Sequence, residues 1–348
     1  WDQEKIEKHF GFNKAKIFWE ISQDAKKEVI SRMKLHNIDC DFSPGIINVT
    51  INRKDTNNLF DEVNNLKKKY KYTKIQKLSS SELSTIIDTD LYDGGCLDFG
   101  AGHLNPLKFV QGLGTAAKKN NVQIFEKCCV EKIDYGKKNT ISVSNGYTVI
   151  SDYLIIACNG YLGNLEPNIS SRVMPINNFI LTTEVLGNNL LNSFLNNNYA
   201  VADNKFVPNY FRPSPDNRLI FGGGENYTYR FPKDIKTIVR KKMLKVYPQL
   251  KNTRIDFAWG GTLAVTRNRL PYFAKIQPNV FSASGYSGHG VALSVLAGKI
   301  IAELIEGDSK RFNFMNNIPI KPFPGNSNFQ WPLLVLGMLW YSLRDRFK

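Results

Sequence analysis

The feature that most constrains this chain is a strand, a glycine-rich turn and a helix in immediate succession. Asn279–Ser284 has the apolar pattern of a buried strand, and Gly285–Gly290 reads G-x-x-G-x-G. Val291–Glu306 is apolar and rich in small residues, which predicts a closely packed helix. Glycines let a ligand approach the backbone, and a helix N-terminus offers unpaired N–H groups and partial positive charge. The pattern predicts α/β architecture with a site for an anion; a plain tight turn with close helix packing is the alternative.

The N-terminal part of the chain is predicted to alternate helices and strands. Apolar periodicity predicts helices over Asn13–His36 and Thr56–Tyr70, with a strand over Gly45–Ile51 between them. A third, short helix is expected after Ser79, because Ser79 and Glu82 form a capping-box pattern.

A second strand, turn and helix are predicted over residues 97–120. Leu97–Leu104 is expected to be a strand that ends in a turn at its glycines. Asn105 and Pro106 suit the N-cap and the first position of a helix that continues to about Asn120.

Short strands are predicted to follow that helix. We expect a strand pair, Val122–Phe125 with Cys128–Asp134, and then a hairpin of residues 140–143 and 147–151. The hairpin turn is predicted at Asn145–Gly146, a dipeptide typical of two-residue turns. These strands form a β-meander, and the apolar strand Tyr153–Ala157 is expected to follow it and to end in small residues.

Residues 171–257 have a different character, which predicts a separate domain built on an antiparallel or mixed sheet. Strands rich in aromatic residues are expected at Asn178–Glu184, Lys205–Arg212 and Arg218–Gly222. One basic helix is expected at Asp234–Val246.

Composition limits the class of protein. The 348 residues suffice for two domains, and 46 Lys+Arg against 31 Asp+Glu give a net charge of +15. This charge suits binding to nucleic acid, to an anionic membrane or to an acidic ligand, or simply a soluble surface.

Five cysteines without a CxxC and four scattered histidines indicate neither a disulfide framework nor a metal site. Idle thiols and no recognisable secretory signal predict a cytoplasmic location. The longest apolar run, Trp331–Tyr341, is too short to span a bilayer as a helix.

Five motifs together resemble the D-amino acid oxidase family of FAD-dependent oxidoreductases. Gly285–Ala292, followed by Gly298–Lys299 and Ala302–Glu303, is similar to the family's C-terminal flavin motif. The other four are Gly102–Pro106, Val130–Ile133, Ile155–Gly163, and Trp259–Gly261 with Arg269–Pro271. The resemblance implies a Rossmann-like FAD-binding domain with an inserted β-meander, and an antiparallel or mixed-sheet substrate domain.

Within the family, the resemblance extends to the bacterial gamma-glutamylputrescine oxidases. The segments that carry it are Ile38–Asp41, Thr182–Glu184, Tyr210–Arg212, Leu219–Gly223, Trp331–Leu334 and Arg344–Arg346. It implies that a small-molecule amine, gamma-glutamylputrescine, is oxidised by hydride transfer to flavin N5, followed by imine hydrolysis and reoxidation by O2 to H2O2. Oxidation of a D-amino acid, glycine or an N-methyl amine, and electron transfer to a quinone, are the alternatives within the family.

The resemblance also assigns residues to FAD. Gly285, Gly288, Gly290 and Val291 are expected over the flavin ring, where the helix end would stabilise the negative charge of the reduced flavin. His289 is expected either to tune the flavin or to cap the turn.

Two of the other motifs are also expected to contact FAD. Val130 is expected to contact the adenine through its backbone, with an ordinary core residue as the alternative. Cys158, Asn159 and Gly160 are expected to let the cofactor pass the end of their strand, with a plain strand-to-loop turn as the alternative.

Four residues are candidates for the substrate pocket: Tyr210, Arg212, Trp259 and Tyr286. An Arg can hold the carboxylate of a gamma-glutamyl group with two parallel bonds; the alternatives are core aromatic residues and, for Arg212, a surface ion pair. His103, Tyr286 and His289 are candidates for a catalytic role, and for His103 a structural role is the alternative.

The expected FAD-binding domain comprises residues 1–37, 97–170 and 258–325. The expected substrate domain comprises residues 38–96 and 171–257, and residues 326–348 are expected to form a C-terminal helix. Family members open with a strand and a G-x-G-x-x-G turn. This sequence does not contain them, so we expect an N-terminal truncation of somewhat under about a hundred residues, which would weaken or abolish FAD binding.

Two basic stretches leave open a different class of protein, a non-catalytic module that binds anionic lipid or nucleic acid. Lys67–Lys74 interleaves lysines with aromatic residues, as single-strand binders do. No nucleic-acid fold motif accompanies it, so a solvated helix end is favoured and no nucleic-acid partner is expected. Trp331–Lys348 is apolar and then basic, and docking on the FAD domain is favoured over contact with a membrane.

Overall fold

The computed structural model describes residues 1–226 and 230–324, apart from the side chains of Asn188 and Asn226. The described helices are α1 (Gln3–Phe10), α2 (Phe12–Leu35), α3 (Arg53–Lys69), α4 (Ser80–Ser84), α5 (Pro106–Lys119), α6 (Pro167–Ser170), α7 (Asn188–Phe194), α8 (Ile235–Val246), α9 (Gly290–Ile305) and α10 (Lys310–Asn316). The described strands are β1 (Ser43–Thr50), β2 (Ile75–Leu78), β3 (Gly94–His103), β4 (Val130–Asp134), β5 (Asn139–Val143), β6 (Thr148–Ser151), β7 (Leu154–Ile156), β8 (Val173–Thr183), β9 (Ala200–Asp203), β10 (Tyr210–Pro213), β11 (Leu219–Asn226), β12 (Ile255–Thr266), β13 (Tyr272–Gln277) and β14 (Val280–Ser284). The C-terminal helix predicted for residues 326–348 lies outside the described residues.

The largest sheet has eight strands in the order β12-β8-β11-β10-β9-β1-β3-β2. Its pairs are antiparallel except for β1 with β9, so the sheet is mixed, as predicted. One face packs on α8 around a core that includes Phe211, Phe221 and Tyr247. The rings of Phe211 and Phe221 stack with centroids 5.5 Å apart. Because alternate residues of a strand point to opposite faces, the neighbours of these core residues lie on the other face.

A three-stranded sheet, β13-β14-β7, forms the centre of the second unit. β14 and β7 are parallel, and α9 follows β14 and packs against α2. Their shared core includes Ile21, Ala25, Phe281 and Ile300. The antiparallel strands β4, β5 and β6 form the predicted β-meander in the connection between α5 and β7. This arrangement confirms the predicted mixed α/β fold class.

The division into domains stays a prediction, but two of its boundaries cut through strands. Leu97 lies inside β3, and Ala258 lies inside β12. Both strands belong to the eight-stranded sheet on either side of these boundaries, because β3 pairs with β1 at Cys96 and Asp98 and β12 pairs with β8 at Phe257 and Trp259.

Local sequence patterns predicted several elements correctly. Asn105 caps α5 by accepting bonds from the N–H groups of Leu107 and Lys108, both 3.2 Å long. Ser79 and Glu82 form both bonds of the capping box. Gly146 has the positive φ of 83° that its hairpin turn requires.

Three predictions of local structure were wrong. The strand after Leu97 does not turn at its glycines but continues to His103, because Gly102 lies against Phe42 and the carbonyl of Ser43 within the sheet. Val122–Phe125 forms no strand. Lys205–Arg212 is not one strand: a loop separates β9 from β10, and Asp203 holds it by accepting bonds from Asn209.

Within residues 1–226 and 230–324, no helix has the length and apolarity needed to cross a bilayer. In the same part of the chain, no group of three or more His, Cys, Asp or Glu side chains could hold a metal ion.

Candidate active site

The glycine-rich turn after β14 lies against the loop that follows β7. The Asn159 side-chain oxygen accepts a bond of 3.1 Å from the Gly285 N–H. The same turn contacts β12, because the Ser287 N–H donates to the Ala264 carbonyl over 2.8 Å. Two of the predicted cofactor motifs are therefore joined directly, although they are far apart in the sequence.

The joined segments hold several residues in the left-handed backbone region. Asn159 has φ 47° and Ser287 has φ 52°, while Gly285 and Gly288 have φ 71° and 93°. Non-glycine residues rarely adopt this conformation, and it concentrates at binding sites. The segment thus has the strained geometry of a functional loop in addition to that of a tight turn.

The N-terminus of α9 faces open space. His289 occupies the N-cap position but makes no side-chain cap bond. A Cβ placed on Gly288 would have no atom within 4 Å, and Val291 is 49% exposed. Uncapped N–H groups beside open space suit an anionic group.

Gly160 is required by the protein's own packing. A Cβ there would lie 2.9 Å from the carbonyl oxygens of Thr262 and Leu263 on β12. The neighbouring Tyr161 hydroxyl accepts a bond of 3.1 Å from the Thr262 N–H. Gly160 therefore lets the strand end approach β12, and its expected role beside the cofactor stays a prediction.

Val130, at the start of β4, lies near Cys158, which follows β7. Val130 is half-buried at the start of β4, and Cys129 precedes it. Partial burial and then the charge of Cys129 raise the pKa of the Cys158 thiol. The start of the meander is thus close to the end of β7, where the described sheet leaves β7 at its edge with Ile155 47% exposed.

Three of the four predicted substrate residues, Tyr210, Arg212 and Trp259, share the second face of the eight-stranded sheet, the face opposite Phe211 and Phe221. Trp259 on β12 pairs with Ile180, which pairs with Gly222, which pairs with Tyr210 on β10. Trp259 is 44% exposed, and Tyr210 is half-buried.

Tyr210 is held in place on both sides. Its hydroxyl donates to the side-chain oxygen of Asn178, whose amide donates to the Gly224 carbonyl over 3.3 Å. The ring lies over Gly222, where a Cβ would be 2.1 Å from ring carbons. Burial raises the pKa of Tyr210, so the hydroxyl stays protonated at neutral pH.

Arg212 extends from the same face as Tyr210, two residues further along β10. It donates to the carbonyls of Pro213 and Leu104 over 3.2 and 3.3 Å. Among the described residues, no carboxylate lies within 4.0 Å of it, and the nearby Asp41 pairs with Lys108 at 2.8 Å. A guanidinium has five N–H donors, so Arg212 keeps donors for a carboxylate.

His103 lies close to Arg212, and its imidazole is only partly exposed. Its Nε2 is 2.8 Å from the Asn198 carbonyl, and its Nδ1 is shielded from solvent without a partner among the described residues. Burial lowers the pKa of His103, with the charge of Arg212 adding to the effect. The geometry favours the structural alternative.

The structure does not bring Tyr286 and His289 to the second face of the sheet. Tyr286 is 9% exposed in the core beneath α9, and its hydroxyl donates to the Ala283 carbonyl over 3.0 Å. His289 lies at the end of α9 with part of its surface exposed, and the atoms packed around the imidazole lower its pKa. Both residues therefore belong with the glycine-rich turn.

Sequence reasoning missed Asn178 and Thr262. Asn178 orients Tyr210, and Thr262 ties β12 to the loop after β7. Both residues stand in ordinary strand patterns, so no local signal marks them. Their roles depend on strand pairing between distant segments.

The fold and site define an FAD-dependent oxidoreductase. The family model described as DAO, FAD dependent oxidoreductase, matches residues 6–304, so the chain belongs to this family and the predicted resemblance is confirmed. Gamma-glutamylputrescine oxidoreductase of Escherichia coli is 35% identical over 346 residues, which cover 99% of this chain and 81% of that protein. The probable oxidoreductase OrdL of Rhizobium meliloti is 35% identical over 344 residues, which cover 99% and 80%.

Solved structures agree on the fold. Glycine oxidase from Geobacillus kaustophilus superposes with a TM-score of 0.73 at 17% identity, covering 87% of this chain and 83% of that one. L-proline dehydrogenase from P. horikoshii gives a TM-score of 0.70 at 17% identity, covering 83% and 79%.

The residues present fit FAD. The uncapped α9 N-terminus and the open space at Gly288 suit a group that becomes anionic, as the flavin does on reduction. The exposed apolar side chains of Val291 and Ile155 suit contact with a flat aromatic ligand. FAD is accordingly the cofactor of this enzyme.

Proposed function

We propose that the chain oxidises the terminal amine of gamma-glutamylputrescine, with O2 as the electron acceptor. The observation that carries the proposal is Arg212, a half-buried cation that retains free donors and has no carboxylate within 4.0 Å among the described residues. The name of the Escherichia coli relative supports the same substrate.

The dimensions of the second face support an extended substrate. Arg212 on β10 lies three strand spacings from β12 and two residues along from the position opposite Trp259, so their backbones are about 16 Å apart. Extended gamma-glutamylputrescine measures about 13 Å from its carboxylate carbon to its terminal nitrogen, over roughly ten bonds. A substrate anchored at the tip of the Arg212 side chain would therefore lie across the face toward Trp259 on β12, and β12 contacts both cofactor segments further along, at Thr262 and Ala264.

In this proposal, each residue has a distinct task. Arg212 binds the carboxylate through paired N–H donors. Tyr210, fixed by Asn178, and Trp259 form the apolar surface along which the aliphatic chain lies. Cys158, Asn159, Gly288, Gly290 and Val291 would hold the cofactor, with Gly160, Gly285 and Ser287 shaping its loop. FAD, when bound, accepts a hydride equivalent from the amine-bearing carbon and passes the electrons to O2.

Steady-state kinetics on the FAD-loaded protein test the proposal. Gamma-glutamylputrescine, glycine, L-proline and a D-amino acid are compared, with peroxide measured beside an anaerobic control. We expect kcat/KM for gamma-glutamylputrescine to exceed that for glycine by about a hundredfold or more, because glycine cannot reach both ends of the face. A preference for glycine or a D-amino acid would refute the substrate. Turnover with a quinone and without peroxide would refute the acceptor.

A further inference from the structure

A basic groove lies outside the site described above, between α2 and the segment that follows α3. Its volume is about 650 Å³, and no acidic residue is among the described residues that line it. Five lysines line it from both sides: Lys26, Lys27, Lys34, Lys71 and Lys74. Ser31 and Thr73 add hydroxyl groups. The groove has the size of a small-molecule site.

The positive charge of the groove is only partly compensated. Lys26 lies 3.8 Å from Asp98, and Lys27 lies 3.2 Å from Asp24. For the other three lysines, the described part of the chain provides no carboxylate within 4.0 Å. Like charges held around a concave surface repel each other, and a bound anion would relieve that repulsion.

Lys26 is held in a fixed position at the groove. Its ammonium lies 3.0 Å from the Tyr72 hydroxyl and 4.9 Å from the centre of the Tyr72 ring. The Tyr72 hydroxyl donates to Asp98, which also accepts a bond of 2.8 Å from the Gly100 N–H. Burial, and then the charge of Lys74, lower the pKa of Lys26. This side chain is therefore pre-positioned, and little conformational freedom is lost when it binds an anion.

Among the described residues that line the groove, Tyr72 is the aromatic side chain on which a base could stack. Lys26 lies over the Tyr72 ring, and Trp19 packs against it edge-on at 5.1 Å. Proteins that bind single-stranded nucleic acid stack bases on free aromatic faces, and this face is occupied. Lysines that converge on a cavity also differ from the flat or protruding basic surface that a membrane requires.

We propose that this groove binds the phosphate chain of a small di- or triphosphate, either free or as part of a nucleotide. Ammonium groups act as point charges toward phosphate, and hydroxyl groups supplement them. The site is separate from the cofactor loops and the second face, so the proposal does not rest on the proposed oxidation.

Isothermal titration calorimetry on the whole chain, near physiological salt, tests the proposal with sodium tripolyphosphate, ATP, AMP and a single-stranded oligonucleotide. We expect tripolyphosphate and ATP to bind with similar affinity, and AMP about tenfold or more weakly, because AMP carries one phosphate. Much tighter binding of ATP than of tripolyphosphate would show that the groove recognises the nucleoside. No saturable tripolyphosphate binding, or tighter binding of the oligonucleotide, would overturn the proposal.

A pair of variants with equal charge change separates the groove from general surface charge. Lys34→Gln with Lys74→Gln removes two exposed groove lysines, and Lys67→Gln with Lys68→Gln removes two exposed lysines outside the groove. The first pair should weaken tripolyphosphate binding about tenfold or more, and the second by less than about twofold. Equal weakening of tripolyphosphate binding by the two pairs would overturn the proposed site. All four side chains are exposed, and circular dichroism verifies that both variants fold.

Discussion

The side-chain oxygen of Asn159 accepts a hydrogen bond of 3.1 Å from the backbone N–H of Gly285. This bond joins the end of β7 to the glycine-rich turn before α9. Because this bond occupies the Gly285 N–H, that group is not available to the flavin. The N–H groups that can face the flavin are therefore those at the start of α9.

Two substitutions of Asn159 should separate the contribution of its hydrogen bond to stability from that of its left-handed backbone conformation. Asn159→Gly loses the bond to Gly285 but tolerates φ 47°, and we expect a loss of about 1 kcal/mol in the free energy of unfolding. Asn159→Ala loses the same bond and also lacks the short polar side chain with which Asn tolerates the left-handed region, which should cost about 1 kcal/mol more than the glycine variant. Urea unfolding of both variants measures the difference. Equal stability of the alanine variant and the parent would contradict the arrangement.

Loss of Arg212 should affect only substrates with a carboxylate. Arg212→Met should raise KM for gamma-glutamylputrescine about tenfold or more with a smaller change in kcat, because a charge-assisted anchor is lost. Arg212→Lys should recover only part of the loss, since an ammonium lacks the planar fork. N-Butanoylputrescine, which has no carboxylate, is the control substrate. If its KM changed as much, Arg212 would not be the carboxylate anchor.

Gly222 provides the space for the Tyr210 ring, which gives a matched pair of glycine variants. A Cβ at Gly222 would lie 2.1 Å from ring carbons, whereas a Cβ at Gly261 would have no atom within 4 Å. Gly222→Ala should cost about 1–3 kcal/mol of stability and raise KM, because Tyr210 must move away from Asn178. Gly261→Ala should change stability by less than about 0.5 kcal/mol. Thermal unfolding and KM of the two variants check this, and similar effects from both would show that Tyr210 is not confined.

Stability should fall as the pH decreases below about 6.5, the ordinary pKa of histidine. Burial lowers the pKa of His103 in the folded state, so the unfolded chain binds more protons in the window between the folded and unfolded values. The stabilising contribution is therefore present above that window and is lost as the pH falls through it. Urea unfolding at several pH values from about 7.5 to about 5, a range that brackets the ordinary histidine pKa, measures how steeply the free energy of unfolding depends on pH. His103→Gln, which keeps a donor for Asn198, should flatten the slope, and an unchanged slope would contradict this origin.

Features fixed by neighbouring residues were predictable from the sequence. The α5 cap depends on Asn105 and Pro106, and the meander hairpin depends on Asn145–Gly146. The glycines of β3 were mistaken for a turn, because the reason for Gly102 is its contact with Phe42 and Ser43, far away in the sequence.

For the candidate site, the sequence predicted which residues take part but not what surrounds them. Tyr210, Arg212 and Trp259 were expected in a pocket, and the strand register places all three on one face. The support of Tyr210 by Asn178 and the burial of Tyr286 could not be predicted, because both follow from long-range packing.

We propose amine oxidation by an FAD enzyme that anchors its substrate at Arg212. The most direct measurement is anaerobic titration of the FAD-loaded protein with gamma-glutamylputrescine, with flavin absorbance followed at about 450 nm. We expect the absorbance to bleach, and to return on admission of air with one peroxide released per flavin reduced. Absorbance that stays unchanged with gamma-glutamylputrescine, while a short amino acid bleaches it, would contradict the account.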